Sequence, residues 1–220
     1  MRLSRIGTVV AMLAVIGATA SAGASSAERD ASTVVGVPYT CKGPVDKVVV
    51  QGAGSSKTAL VNLMSGCTGT ISFNITVTSG GGDGVKVQAG AHDLLVGPST
   101  IECQPDLNLK DHQDGVQVQG GSNVTFVGLA VQCSPVTNGA AAFYIDGKDF
   151  KGISNVVCDG CNLEHSHYGV LFTAPAPGSG VRNSVIHQGT FTKFFYRVTG
   201  TGAVDENNTL APPCSNVIPC

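Results

Sequence analysis

The sequence predicts an all-β fold, a solenoid of short parallel strands, on three observations. The hexapeptide at residues 83–88 returns at residues 114–119 with a spacing of 31 residues and a single difference. A repeat period in the twenties or low thirties is typical of repeat architectures. Within each copy, short runs of alternating apolar and polar residues are separated by Gly, Asn and Asp, and no helical periodicity is present.

The first element is an export signal over residues 1–27. Arg2 and Arg5 are followed by an apolar run, and residues 20–24 offer two A-x-A cleavage sites, so we expect cleavage after residues 22 to 27. The run is too short to span a membrane comfortably. We therefore expect a secreted, extracellular protein that has no membrane association after signal cleavage.

The solenoid follows a linker and N-terminal cap over residues 28–46 and occupies residues 47–199. Strands are expected at 48–50, 59–63 and 71–77, before the repeated hexapeptide, and later copies recur at 142–145 and 168–172. The residues 123–128 are echoed at 155–160 and, more faintly, at 182–186. Residues expected to stack into a narrow core are Val116, Val118, Val124, Phe126, Leu129 and Val131.

Three asparagines, Asn123, Asn155 and Asn183, recur before strands of this pattern, where stacked amides can bond each other and the turn backbone. Residues 200–220 differ in composition, with Pro212 and Pro213 near their end. We expect them to form a C-terminal tail that caps the last coil and covers its open edge.

The eight cysteines of this exported chain are interpreted as disulfides. Eight cysteines allow 105 connectivities. Geometry favours pairing Cys103 with Cys133 across one rung. The pairs Cys41–Cys67 and Cys214–Cys220 would pin the N-terminal cap and close the tail, which leaves Cys158–Cys161. The Cys-x-x-Cys spacing of that last pair also fits zinc or redox chemistry, but it stands without a second such motif or a helical context.

The charge of the mature chain excludes some partners. Loss of Arg2 and Arg5 leaves 13 − 2 = 11 Lys and Arg against 15 Asp and Glu, a net charge of −4. Nucleic-acid-binding proteins present basic patches, so no nucleic acid is expected. We also expect a monomer.

The Asp-Gly-Val-x-Val-Gln rung, the Gly-x-Asn-Val-Thr-Phe that follows it and the later Asn-Val rungs resemble the pectin-lyase-like superfamily over roughly residues 45–197. This resemblance implies a right-handed parallel β-helix with capped ends. Its families include pectate lyases, polygalacturonases and uncharacterised exported repeat proteins. The short mature length and the rung at 114–116 resemble the compact pectate lyases, although the acidic pair that this subgroup carries on a later rung has no evident counterpart here.

Candidate catalytic residues are those that depart from the repeat. Asp111 and His112 stand where the preceding coil has Gly80 and Gly81, and with Asp114 they place two carboxylates and an imidazole at one corner. Carboxylates can bond sugar hydroxyls, and a histidine can transfer protons near neutral pH. The alternative interpretation is a solvated corner that binds no substrate.

A second corner should lie about 10 Å away, two coils later. It contains His165, His167 and Tyr168, which complete the predicted catalytic set, and Tyr144 or Tyr168 would line a shallow groove. Asp83 and Asp114 keep the repeat, so they are interpreted either as turn residues that accept backbone N–H groups or as paired carboxylates about 5 Å apart.

Calcium is the candidate cofactor, with Asp83, Asp111 and Asp114 as oxygen ligands. The family resemblance implies that calcium would neutralise a uronate carboxylate while a Lys or Arg removes the C5 proton. Candidate bases are Lys86, Lys110, Lys148 and Arg182, or one of the histidines with Tyr168 as the acid.

Two functions are therefore predicted from the sequence. The first is a polysaccharide lyase that cleaves a uronate-containing polymer by β-elimination, with glycoside hydrolysis a less favoured reaction. The second is a non-catalytic exported β-helix that binds glycans or a cell surface, or serves as a scaffold. The histidine-containing corners favour the first, whereas the 5% aromatic content and the absence of Trp favour the second. Fold alone does not separate them.

Overall fold

The computed structural model describes residues 32–79, 82–104, 113–133, 141–173, 176–190, 194–199 and 203–213. The predicted signal peptide and the predicted pair Cys214–Cys220 lie outside these residues. The described part of the chain contains β-strands and no helix, which confirms the all-β class.

The strands are short, and all their pairings in the described residues are parallel. They are β1 (Thr33–Gly36), β2 (Tyr39–Cys41), β3 (Pro44–Gly54), β4 (Ala59–Leu63), β5 (Thr68–Val77), β6 (Asp83–Val87), β7 (His92–Val96), β8 (Ser99–Cys103), β9 (Val116–Val118), β10 (Ser122–Val127), β11 (Leu129–Cys133), β12 (Ala141–Ile145), β13 (Ser154–Asp159), β14 (Asn162–His165), β15 (Tyr168–Phe172), β16 (Gly180–Arg182), β17 (Val185–His187), β18 (Tyr196–Val198), β19 (Val204–Glu206) and β20 (Thr209–Ala211).

Successive strands belong in turn to three sets of paired strands, which we call faces. Face 1 contains β7, β10, β13, β16 and β19, and face 2 contains β8, β11, β14, β17 and β20. The two are joined through β5, whose first half pairs with β7 and second half with β8. Face 3 is a separate sheet with the order β18-β15-β12-β9-β6-β4-β2. One passage through the three faces is called a coil, and the arrangement is consistent with a parallel β-solenoid.

The corners between faces differ in length. One or two residues join each face 1 strand to the following face 2 strand from β7 onward, as between β10 and β11. The corner between faces 2 and 3 varies, with twelve residues between β8 and β9 and two between β14 and β15. Insertions lie in the turns and leave the pairing of the strands unchanged. The repeat period of the sequence therefore varies from coil to coil.

The core lies between the three faces and is filled by alternate strand residues. In β10, Val124 and Phe126 are buried whereas Val127 is exposed. The six residues predicted to stack inward are each at most 2% exposed, which confirms that prediction. Each such side chain packs against its counterparts in the neighbouring coils, so apolar burial extends along the chain.

Three disulfides tie coils and corners together. Cys41–Cys67 and Cys103–Cys133 join successive coils, with Cα–Cα distances of 5.4 and 4.5 Å, and Cys158–Cys161 spans the corner between β13 and β14. These three predicted pairings are confirmed, and the Cys-x-x-Cys motif forms a disulfide with both cysteines buried. Disulfides of this kind are typical of extracellular proteins.

A ladder of amides runs along the start of face 1. Asn123 and Asn155 both adopt left-handed backbone conformations, and Asn155 Nδ2 donates to Asn123 Oδ1 at 3.1 Å. Asn183 is stacked too, but with Asn207 rather than with Asn155, because Asn207 Nδ2 donates to Asn183 Oδ1 at 3.4 Å. Because Arg182 pairs with Asp159, Asn183 lies at the next corner, where its Nδ2 donates to Asp159 Oδ1.

The two ends of the described region also contain strands. Within the predicted linker and cap, β1 pairs with β3 and β2 pairs with β4. Within the predicted tail, β19 and β20 pair with β16 and β17 and so extend faces 1 and 2 by one strand each.

Candidate functional site

The aspartates of the repeated hexapeptide join one coil to the next. Asp83 Oδ1 accepts the N–H of Asp114 at 2.9 Å, and Asp114 Oδ1 accepts the N–H of Ala141 at 2.8 Å. Asp83 is 3% exposed and Asp114 is fully buried. Each carboxylate thus provides a hydrogen-bond acceptor for a buried backbone N–H group. Without an acceptor, burial of that N–H group would be costly.

The other positions of the hexapeptide divide between the core and the surface. Val85 and Val87 in the first copy, like Val116 and Val118 in the second, are buried in the core. The residues between and after these valines lie on the outer side of face 3. They are Lys86 and Gln88 in the first copy, and Gln117 and Gln119 in the second.

Register places the outward side chains of face 3 in a row that crosses the strands. Lys86 pairs with Gln117, Gln117 with Tyr144, Tyr144 with Leu171, and Leu171 with Arg197. Neighbouring members are separated by the strand spacing of about 4.8 Å. We call this row the polar row, because it presents basic, amide and aromatic groups, although Leu171 interrupts it and Gln117 and Leu171 are each only 8% exposed.

Two members of the row are held by neighbouring carboxylates. Lys86 Nζ lies 3.0 Å from Asp83 Oδ2. Burial raises the pKa of Tyr144 to about 12. The hydrogen bond with Thr173 lowers this pKa, and the Asp146 carboxylate raises it further. Thr173 Oγ1 in turn donates to Asp146 Oδ1 at 3.2 Å. The Tyr144 hydroxyl therefore keeps its proton at neutral pH.

The predicted catalytic residue His165 is the last residue of β14, next to the corner between β14 and β15. It is fully buried, with Nε2 3.0 Å from the Gln113 carbonyl oxygen, and its Nδ1 accepts the N–H of His167 at 3.0 Å. A carbonyl can only accept, so Nε2 carries the proton and the ring is the neutral tautomer. Both ring nitrogens are thus engaged by backbone groups from corners two coils apart.

The remaining predicted site residues divide into two groups. His167 and Tyr168 are partly exposed at the same corner, and the rings of His165 and His167 lie 5.9 Å apart. Asp111 and His112 lie outside the described residues. The structure thus brings the 113–114 and 165–168 corners into contact, but it buries Asp114 and His165 there rather than aligning them along an open groove.

Two of the three predicted calcium ligands, Asp83 and Asp114, lie among the described residues. Asp83 and Asp114 bond backbone N–H groups, and the second oxygen of Asp83 binds Lys86. Across the described ranges, no three His, Cys, Asp or Glu side chains converge to hold a metal ion. A site that includes Asp111 stays a prediction.

Sequence reasoning did not single out the amides of face 3. Gln88, Gln117 and Gln119 belong to the repeat, and repeated polar residues were interpreted as structural. The signal that could have found them is the hexapeptide itself. Its third and fifth residues are apolar, so the fourth and sixth must point outward from the strand.

Asp114 variants should separate its structural role from a catalytic one. Asp114→Ala leaves the buried Ala141 N–H without its acceptor, so we expect the free energy of unfolding to fall by about 1–3 kcal/mol in urea titrations. Asp114→Asn keeps the acceptor oxygen and should lose less. The exposed Asp149→Ala is the control, expected within about 0.5 kcal/mol of wild type. An Asp114→Ala protein as stable as this control would contradict the structural role.

Comparisons with protein-family models, curated proteins and solved structures find no match for this chain. In the part of the chain that the structure describes, no helix has the length and apolar character needed to cross a membrane.

Proposed function

We propose that this protein is an exported right-handed parallel β-helix of the pectin-lyase-like type that binds a uronate-containing polysaccharide across face 3. The observation that carries the proposal is the row Lys86, Gln117 and Tyr144, which stand side by side on β6, β9 and β12. The right-handed sense follows the strong preference of parallel crossover connections.

The chemistry of this row matches the parts of such a polymer. The Lys86 ammonium can pair with a uronate carboxylate, and amide groups such as Gln117 can bond hydroxyls. The ring of Tyr144 offers an aromatic surface for the apolar face of a sugar. The row places one side chain about every 4.8 Å across successive strands, a direction that an extended ligand can follow. Export is supported by the signal-like N-terminus and the three disulfides.

Cleavage by β-elimination is the second candidate function, and one observation favours it. That observation is position: the Tyr144 hydroxyl stands in the polar row next to Gln117, where it could donate a proton to a leaving oxygen, while burial makes it a weaker acid than a free tyrosine. The partly exposed His167 and Tyr168 remain candidates for the proton-transfer groups.

Binding to polygalacturonate and alginate, measured by titration calorimetry, tests the proposal, with an uncharged glucan as the reference polymer. We expect Lys86→Gln to weaken uronate binding about tenfold, since it removes a charge-assisted bond. Gln117→Leu should also weaken binding without touching the Asp83 carboxylate. The exposed Lys57→Gln is the matched charge control and should bind like wild type. Equal affinities for charged and uncharged polymers would overturn the uronate assignment.

The same samples decide between binding and cleavage. Elimination creates an unsaturated sugar whose ultraviolet absorbance rises with time, so a Tyr144-dependent increase would identify a lyase. Tyr144→Phe keeps the ring and removes the hydroxyl. Loss of product with retained binding would support Tyr144 as the acid, whereas binding without product in the wild type would leave the non-catalytic function.

A further inference from the structure

The outer side of face 2 carries a groove that the proposed function does not use. Its volume is about 200 Å³, and it crosses β8, β11 and β14. Its lining side chains include Thr100, Glu102, Ala130, Gln132, Asn162 and Glu164.

Strand register explains the shape of this groove. Thr100, Ala130 and Asn162 form one row across the three strands, and Glu102, Gln132 and Glu164 form the next. The methyl group of Ala130 is shorter than the side chains on either side of it, so it forms the floor. Asn162 is held in place from the next coil, because its Oδ1 lies 2.8 Å from His187 Nε2.

Among the described residues that line the groove, the two charged side chains are both acidic. Glu102 is exposed and Glu164, at 4% exposed, is buried in the lining. Two strand spacings, about 10 Å, separate their backbones. None of β8, β11, β14, β17 and β20 contains Lys or Arg. Face 2 therefore differs from face 3, where Lys86 and Arg197 belong to the polar row.

We infer that this groove is a second carbohydrate site, which takes an amino-sugar residue with a free, protonated amine. The exposed Glu102 offers its carboxylate to an ammonium group, and charge-assisted hydrogen bonds of this kind are about twice as strong as neutral ones. Glu164 is the second acidic side chain of the lining. Gln132, Asn162 and Thr100 offer donors and acceptors to ring hydroxyls. The groove spans two strand spacings, a width that suits one sugar residue. Its hydroxyl and amide groups, which stand beside the carboxylates, favour a sugar amine over a bare cation.

Glucosamine oligosaccharides and their fully N-acetylated counterparts of equal length are matched probes for this site. Acetylation removes the positive charge and keeps the sugar ring. Titration calorimetry should show binding of the free amine form, with an affinity about tenfold or more above that of the acetylated form. Added salt should weaken the binding, because the exposed Glu102 contact is screened. Equal binding of the two oligosaccharides, or no binding of either, would overturn the inference, and so would equally tight binding of oligolysine.

Two variants locate the site on face 2. Ala130→Leu fills the floor of the groove from the outer side of the strand and should abolish binding, and Glu102→Gln should weaken it about tenfold. Thr125→Leu is the matched control, since it adds a similar side chain to the outer side of β10 on face 1. Amine-dependent binding that survives Ala130→Leu would overturn this location.

Lys86→Gln on face 3 should leave glucosamine binding unchanged. The inference can therefore fail or hold independently of uronate binding.

Discussion

Replacement of Phe126 by Ala is expected to lower the free energy of unfolding by about 3–5 kcal/mol, the largest loss at any single position considered. Phe126 is fully buried, and its ring meets that of Phe143 edge to face, with centroids 5.5 Å apart and planes at 80°. The narrow core between the three faces offers few side chains that could move into the cavity. A thermal melt should show a midpoint lower by roughly 10 °C.

Val127→Ala is the matched control for this prediction. Val127 is the next residue of the same strand, but it points outward and is 39% exposed. Its loss should change the free energy of unfolding by no more than about 0.5 kcal/mol. Similar losses from Phe126→Ala and Val127→Ala would contradict the inward and outward assignment of β10.

Replacement of Gly115 by Val is expected to cost about 3 kcal/mol, at the upper end of overpacking penalties. A Cβ atom at this position would lie 2.5 Å from the carbonyl oxygen of Ala142 and would press against Cγ1 of Val131. Backbone of the next coil cannot move away without breaking its own pairing. The glycine of the repeated Asp-Gly-Val therefore permits the close approach of face 3 to face 2. Urea unfolding measures the loss.

Gly97→Ala is the control for this glycine. A Cβ atom there would have its nearest neighbours at 3.9 Å, which is an ordinary contact. We expect a stability change within about 0.5 kcal/mol. If Gly115→Val unfolded at the same urea concentration as Gly97→Ala, the glycine of the repeat would have no packing role, and another reason for its recurrence would be needed.

These predictions assign most of the repeated hexapeptide to the fold. Asp114 bonds the Ala141 N–H, Gly115 permits close packing, and Val116 and Val118 fill the core. The fourth position, Lys86 in one copy and Gln117 in the other, belongs to the polar row of face 3, and the sixth also points outward. The same six residues thus both build a coil and supply its surface chemistry.

Much of the fold could be predicted from the sequence because its signals are periodic. Alternation within β10 and β12 indicates which residues are buried, and the spacing of Cys103 and Cys133 matches one coil. Asn183 shows the limit of such alignment. A shorter connection before β16 shifts the last copies, so a residue that resembles Asn155 in sequence lies at a different corner.

The site was less predictable, because side-chain direction and contact depend on neighbouring coils. His165 is a reactive type of residue at a corner, yet the Gln113 carbonyl and the His167 N–H occupy both of its ring nitrogens. Lys86, Gln117 and Tyr144 are far apart in the chain and have no common motif. Only the register between β6, β9 and β12 places them in one row.

The sequence by itself determined the all-β class, the coil period and the buried valines, and it indicated the three described disulfide pairs. All of these follow from alternation and spacing along the chain. The tertiary structure decided that the repeated aspartates bond the backbone and that Lys86 stands beside Gln117 and Tyr144. It also decided that Glu102, Gln132 and Glu164 line one groove. These facts depend on parallel pairing, which places residues about 30 positions apart in contact and cannot be read from any single strand.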